Sequence, residues 1–165
     1  MVEIFQDRIE ITNPGVPLID TDRFLDSPPQ SRNEILARFM RRINICEERG
    51  TGIDKVLFEI EKVQLPAPKF SVEQNHTRIT IYAYKALTKM NKEEKIRACY
   101  WHACLCQESN QLMTNSSLRE RFGIEQKNQA IVSRIISDTL KKGFIKPSDP
   151  DNTSRKHVKY IPFWA

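Results

Sequence analysis

Along the last fifty or so residues, apolar positions fall into two helical rhythms separated by glycine and followed by a basic, turn-rich stretch. In NSSLRERF, Leu118 and Phe122 stand one turn apart, Asn115 or Ser116 can cap the start, and Gly123 supplies a left-handed stop. The exposed face of this short helix is expected to carry Arg119 and Arg121. A longer helix is predicted from about Gln126 to Lys142, because Ile131, Val132, Ile135, Ile136 and Leu140 recur on one side. At about 100° per residue the opposite face collects Gln126, Lys127, Ala130, Ser133, Arg134, Ser137 and Lys141, with no acid and no bulky hydrophobe. Gly143 ends it, Phe144-Ile145-Lys146 reads as a strand, and SDPDNTSRKH turns the chain into a second strand, VKYIPF.

Upstream, a helix is predicted from about Lys92 to Glu108, opened by Asn91 and Glu94 as a capping pair. Within it Cys99, His102 and Cys106 could face one way, but zinc needs a fourth ligand and closer pairs. The small cysteines therefore read as packing residues beside Tyr100, Trp101 and Leu105. A boundary is expected near Lys85 to Asn91. Before it, VEIFQDRIEIT reads as two strands around a Gln6-Asp7 turn, with Ile4, Ile9 and Ile11 alternating. A helix opened by Ser31 follows over about 32–45, with Ile35, Leu36, Phe39, Met40 and Ile43 on its buried side. ERGTG breaks it, a second helix spans about Ile53 to Val63, LPAP stops that one, and strands over Lys69 to Val72 and Arg78 to Tyr84 close the unit.

Three helices and a basic hairpin over residues 86–165 have the order of a winged helix-turn-helix domain. Charge changes the picture from fold to partner. Residues 86–165 hold 14 Lys plus Arg against 8 Asp plus Glu, a net of +6, whereas residues 1–85 hold 12 against 13, a net of −1. A helix of modest polar side chains flanked by cations suits the major groove of double-stranded DNA, with phosphates neutralised beside it. Gln126, Lys127, Ser133, Arg134 and Ser137 are the candidate groove readers. Arg119, Arg121, Lys141, Arg155, Lys156 and Lys159 are the candidate phosphate contacts. The competing use of such a domain is protein contact or dimerisation.

At 165 residues, 39% hydrophobic and 28% charged, the chain has the composition of a globular protein with room for one large or two small domains. It has no long apolar run and no signal peptide, and its four cysteines form no paired framework. A cytoplasmic protein without a membrane span is expected.

VEIFQDRIEITNPGVP, then SRNEILARFMRRINICEERGTGIDKV, then LPAPKF resemble the second half of a divergent GHKL-type ATPase domain, and YIPFWA resembles the end of a winged helix that follows it. The chain is thereby similar to RecG-related ATP-dependent DNA helicases and AlbA-containing transcriptional regulators of bacteria and archaea. The resemblance implies that an AlbA domain and the first half of the ATPase fold lie ahead of Met1. It also implies that Asn13, Pro14 and Gly15 match a first glycine box and Gly50, Thr51 and Gly52 a second, where a helix N-terminus would meet phosphates. Alternatively, Gly50 only stops one helix and Thr51 caps the next. Ile11 and Thr12 stand where the family's adenine-contacting acid would be, the helix with its metal ligand and catalytic acid would precede Met1, and no Walker A motif is present. No cofactor and no metal are therefore expected for this chain, and ATP with magnesium only for a longer protein.

The resulting expectation is an α+β chain. A partial GHKL-like sandwich unit would occupy residues 1–85 and a winged-helix DNA-binding domain residues 86–165, together forming part of a RecG-related transcriptional regulator. The alternatives are the phosphate lid of an ATP-binding switch, or a homo-oligomerisation module offering an open sheet edge.

Overall fold

A computed structural model describes residues 1–45, 52–150 and 158–165. The chain is mixed α and β with antiparallel sheets. Strands β1 (Val2–Ile4) and β2 (Arg8–Pro14) form the hairpin expected around Gln6-Asp7, with Ile4 opposite Ile9 and Phe5 N–H donating to the Arg8 carbonyl at 2.8 Å. Helices α1 (Glu34–Arg42) and α2 (Gly52–Lys62) follow, then β3 (Lys69–Glu73) and β4 (His76–Tyr82). The four strands form one sheet in the order β1-β2-β4-β3. Its pairing places Ile9 beside Ile81, and Ile11 and Phe70 beside Ile79, on one face. Glu10, Thr80 and Arg78 occupy the other, where Glu10 is ion-paired to Arg8 and Arg78.

Helix α3 (Lys92–Glu108) is the centre of the molecule. Its Asn91–Glu94 capping box forms as expected, each side chain bonding the other's backbone N–H. Residues Ala98 to Cys104 are all buried, so the helix has no solvent face along its middle and is wrapped by neighbours on every side. The surrounding elements are α2, α4 (Asn115–Arg121), α5 (Gln129–Lys141) and a hairpin of β5 (Ile145–Pro147) with β6 (Tyr160–Pro162). One hydrophobic cluster joins Leu25, Leu57 and Ala67 to the core residues of α3, α4 and α5.

Several expectations are corrected. Helix α4 is capped by Thr114, whose hydroxyl accepts from Ser117 N–H at 3.1 Å, and not by Asn115 or Ser116. Helix α1 is capped by Asn33 in place of Ser31, Asn33 Oδ1 accepting from Leu36 N–H at 2.9 Å. Among the described residues nothing covers its apolar side: no α1 residue is buried, and Ile35 is 83% and Phe39 56% exposed. The helix expected from Gln126 begins as a 3-10 turn over Gln126–Asn128, and α5 proper starts at Gln129. Ile131, placed on the buried side by periodicity, is exposed, while Val132, Ile135 and Ile136 are buried. Cys99, His102 and Cys106 do not converge: Cys99 Sγ lies 3.9 Å from Met113 Sδ, whereas Cys106 lies against His102. No described helix is long and apolar enough to cross a membrane.

Candidate nucleic-acid interface

The exposed side of α5 is built by burying the other one. Val132, Ile135, Ile136 and Thr139 enter the core, and the Thr139 hydroxyl donates to the Ile135 carbonyl at 2.8 Å, so this polar residue is satisfied without water. Ser133 and Arg134 then face solvent with Lys141, and Ser137 is half-buried. Ser133 donates to the Gln129 carbonyl at 3.2 Å and receives Asn115 Nδ2 from α4 at 3.1 Å, a hydrogen bond between the two helices at their exposed edge. Gln126 and Lys127 lie on the 3-10 turn that leads into α5, and Lys127 pairs with Glu125 at 2.6 Å on the surface.

Beside these helices, Met113 forms an antiparallel bridge with Tyr160, exchanging backbone bonds of 3.1 and 2.8 Å. Met113 thus extends the β5–β6 hairpin into a third row that lies between α3 and α4 in the sequence. The hairpin pairing continues outward to Ser148 N–H and the Lys159 carbonyl at 2.9 Å, leaving Lys159 exposed. Arg155 and Lys156 lie outside the described residues.

Arg119 and Arg121 separate. Arg119 is partly exposed and its Nη2 donates to Ser116 Oγ at 3.1 Å. Arg121, expected on the exposed face, is only 5% exposed. It turns inward toward α2, where its Nε lies 3.3 Å from Glu61 Oε2 and its Nη2 donates to the Leu65 carbonyl at 2.6 Å. It therefore leaves the set of phosphate contacts. The Leu65 carbonyl sits in LPAP, where Pro66 and Pro68 lack the N–H groups of a regular ladder, so a guanidinium fills the role of donor. Arg97 does the same for the Ala67 carbonyl at 3.0 Å.

Glu61 holds a second cation. His102 Nδ1 lies 2.5 Å from Glu61 Oε1, and His102 Nε2 lies 3.0 Å from Ser117 Oγ. Burial opposes a charge on this imidazole, but the contacts with Cys106 and Glu61 more than offset it and push its pKa up to about 9. Ser117, His102 and Glu61 stand in the order of a hydrolase triad. The protonated ring cannot accept a serine proton at neutral pH, and Ser117 Oγ already bonds the N–H and the carbonyl of Thr114. The group is a structural network linking α2, α3 and α4. Burial also raises the Cys99 and Cys104 thiols to about 12, which disfavours thiolate chemistry.

The glycine boxes are only partly described. Asn13 is exposed on β2. Gly15 has φ +101°, its N–H donates to the Asn75 carbonyl at 2.6 Å, and its carbonyl accepts from Thr77 Oγ1 at 2.7 Å. Gly52 is the first residue of α2, with open space where a Cβ would stand. Gly50 and Thr51 lie outside the described residues. Among the described residues, no group of three His, Cys, Asp or Glu is placed to hold a metal ion.

Fold and site together define an α+β chain in which a four-stranded sheet unit is locked onto a cationic bundle of three helices and a hairpin. Residues 1–81 match the family described as "Putative ATP-dependent DNA helicase recG C-terminal", a stretch that ends one residue short of the end of β4. This part of the chain is thus a RecG-related, ATPase-like region by similarity. No curated protein matches the chain significantly. Among solved structures, the DIP2311 protein from Corynebacterium diphtheriae is similar over 94% of this chain and 44% of its own, at 9% identity and a TM-score of 0.40. This chain thus spans less than half the length of that protein, and a likeness of that level bears on neither fold class nor function.

Proposed function

We propose that residues 86–165 form a winged helix that binds double-stranded DNA, with α5 as the helix that enters the major groove. The observation that carries this reading is the solvent face of α5: Ser133, Arg134 and Lys141 project from a helix whose other side is anchored in the core. Small polar residues there allow close approach to base edges, and cations on either side meet phosphates. Gln126, Lys127 and Ser137 complete the reading surface; Arg119, Lys141 and Lys159, with Arg155 and Lys156, complete the backbone contacts. The excess positive charge of the chain lies in this half, which supports the same partner. In a longer protein the RecG-related region would make the chain part of a transcriptional regulator whose glycine boxes face a nucleotide.

The test separates readers from backbone contacts. Replacing Lys141 and Lys159 by Ala is expected to weaken binding to all duplexes alike and to lower the salt dependence. Arg134→Ala is expected to reduce the difference between preferred and random sequences. Wild-type chain that retains no duplex at low salt overturns the proposal.

A second reading is favoured by the uncovered apolar surface of residues 1–45. Ile35, Leu36 and Phe39 on α1 and Val2 and Ile4 on the edge strand are exposed together with their open backbone edge. A homo-oligomer would cover them.

A further inference from the structure

The first turns of α3 run beside α5, and between them lies an open groove of about 310 Å³ lined by Lys92, Lys95, Ile96, Ile131, Arg134 and Asp138 among others. Its charges are unequal. Lys92 Nζ bonds Asp138 Oδ1 at 3.0 Å and so neutralises the acid of the groove. Among the described residues, no carboxylate stands within ion-pair distance of Lys95 or Arg134, so both keep their charge for a ligand. Ile131 is exposed at the same place, which periodicity alone does not explain, because the helix could have buried it with Val132. An apolar side chain in the same groove as two cations without a carboxylate partner suits the sugars and phosphates of a nucleic-acid strand.

We propose that this groove is a second grip on the backbone of duplex DNA, an inference that rests on the DNA-binding reading of α5. Lys95 contacts a phosphate of the strand that borders the groove entered by α5, while Arg134, on the far wall, reaches the base edges. Ile131 packs against the adjoining sugar. Lys92 screens Asp138, whose free carboxylate would repel the strand. The contact surface then spans α3 as well as α5, and Lys95 joins it from the polar first turns of a helix whose middle is core.

The experiment is fluorescence anisotropy of the full chain with a random-sequence duplex across a series of salt concentrations. Removing a side chain that neutralises one phosphate lowers the slope of log affinity against log salt by about 0.9. Lys95→Ala is therefore expected to lower it by about that amount, with Lys95→Arg close to wild type. Lys92→Ala is expected to weaken binding, and Lys92→Ala with Asp138→Asn to restore it, because the acid is removed together with its screen. Lys62→Ala, a surface lysine of α2, is expected to leave the slope unchanged. An unchanged slope in Lys95→Ala, or an equal drop in Lys62→Ala, overturns the groove while leaving DNA binding by α5 in place. A wild-type chain with no affinity for duplex overturns both.

Discussion

The most constrained side chain is Glu61, which receives a histidine from α3 and an arginine from α4 in a largely dry site. Removing one partner of such a group strands a buried charge, so Glu61→Ala is expected to destabilise the fold by about 3 kcal/mol, read as a lower urea midpoint. The pH dependence has a definite sign. His102 carries a folded-state value of about 9 against 6.5 for an ordinary histidine, so its contribution is whole below about 6.5 and is lost as pH rises through 9. The loss amounts to on the order of 3 kcal/mol, and His102→Gln is expected to flatten the profile between those limits. A urea midpoint constant from pH 6 to pH 10 in the wild type would contradict the ion pair. Two glycines provide a contrast. Gly123 has φ +61°, and a Cβ there would stand 3.1 Å from the Gln64 side chain, so Gly123→Ala is expected to cost more than about 1 kcal/mol. Gly52 opens a helix into empty space, so Gly52→Ala is expected to leave the melting temperature unchanged or raise it slightly. Any loss of nucleotide affinity from that substitution in a longer protein would then report on the ligand and not on folding.

At the scale of elements, local chemistry was legible and long-range partnership was not. The capping box of α3 could be read because Asn91 and Glu94 are the sole matching pair at that spacing near its start. The cap of α4 was ambiguous because Thr114, Asn115, Ser116 and Ser117 can all cap, and tertiary position chose the first. Arg121 reads as a surface cation because its partner Glu61 is far upstream, and no periodicity carries that pairing. On α5, Ser133, Arg134 and Lys141 are exposed as the helical period predicts, while Lys95 gives no sequence signal because the first turns of α3 mix charges of both signs. Helix α1 shows the opposite limit, since its amphipathic pattern demands a covering surface without saying what supplies it. If α1 meets a second copy, Ile35→Asp with Phe39→Asp is expected to lower the mass seen by light scattering without lowering the melting temperature. A monomeric wild type at high protein concentration would contradict the oligomer.

For the whole molecule, the sheet unit and the cationic helices are held at fixed points: Glu61 on two cations, the Leu65 and Ala67 carbonyls on two arginines, and Lys85 on Glu94 at 2.7 Å. Through Glu61 and the Leu65 carbonyl, α2 and the residues after it are joined to α3 and α4, and Gly123 beyond α4 lies beside the Gln64 side chain. A shift of α2 would therefore be felt by the helices proposed to hold DNA. In the proposed complex α5 presents its solvent face to duplex DNA. The most direct measurement is the affinity of the full chain for a random duplex at low salt, beside a variant carrying Arg134→Glu and Lys141→Glu. Salt-sensitive binding by the wild type and its near-complete loss in the variant are expected, with the same melting temperature for both. Equal binding by the two proteins would contradict that placement of α5.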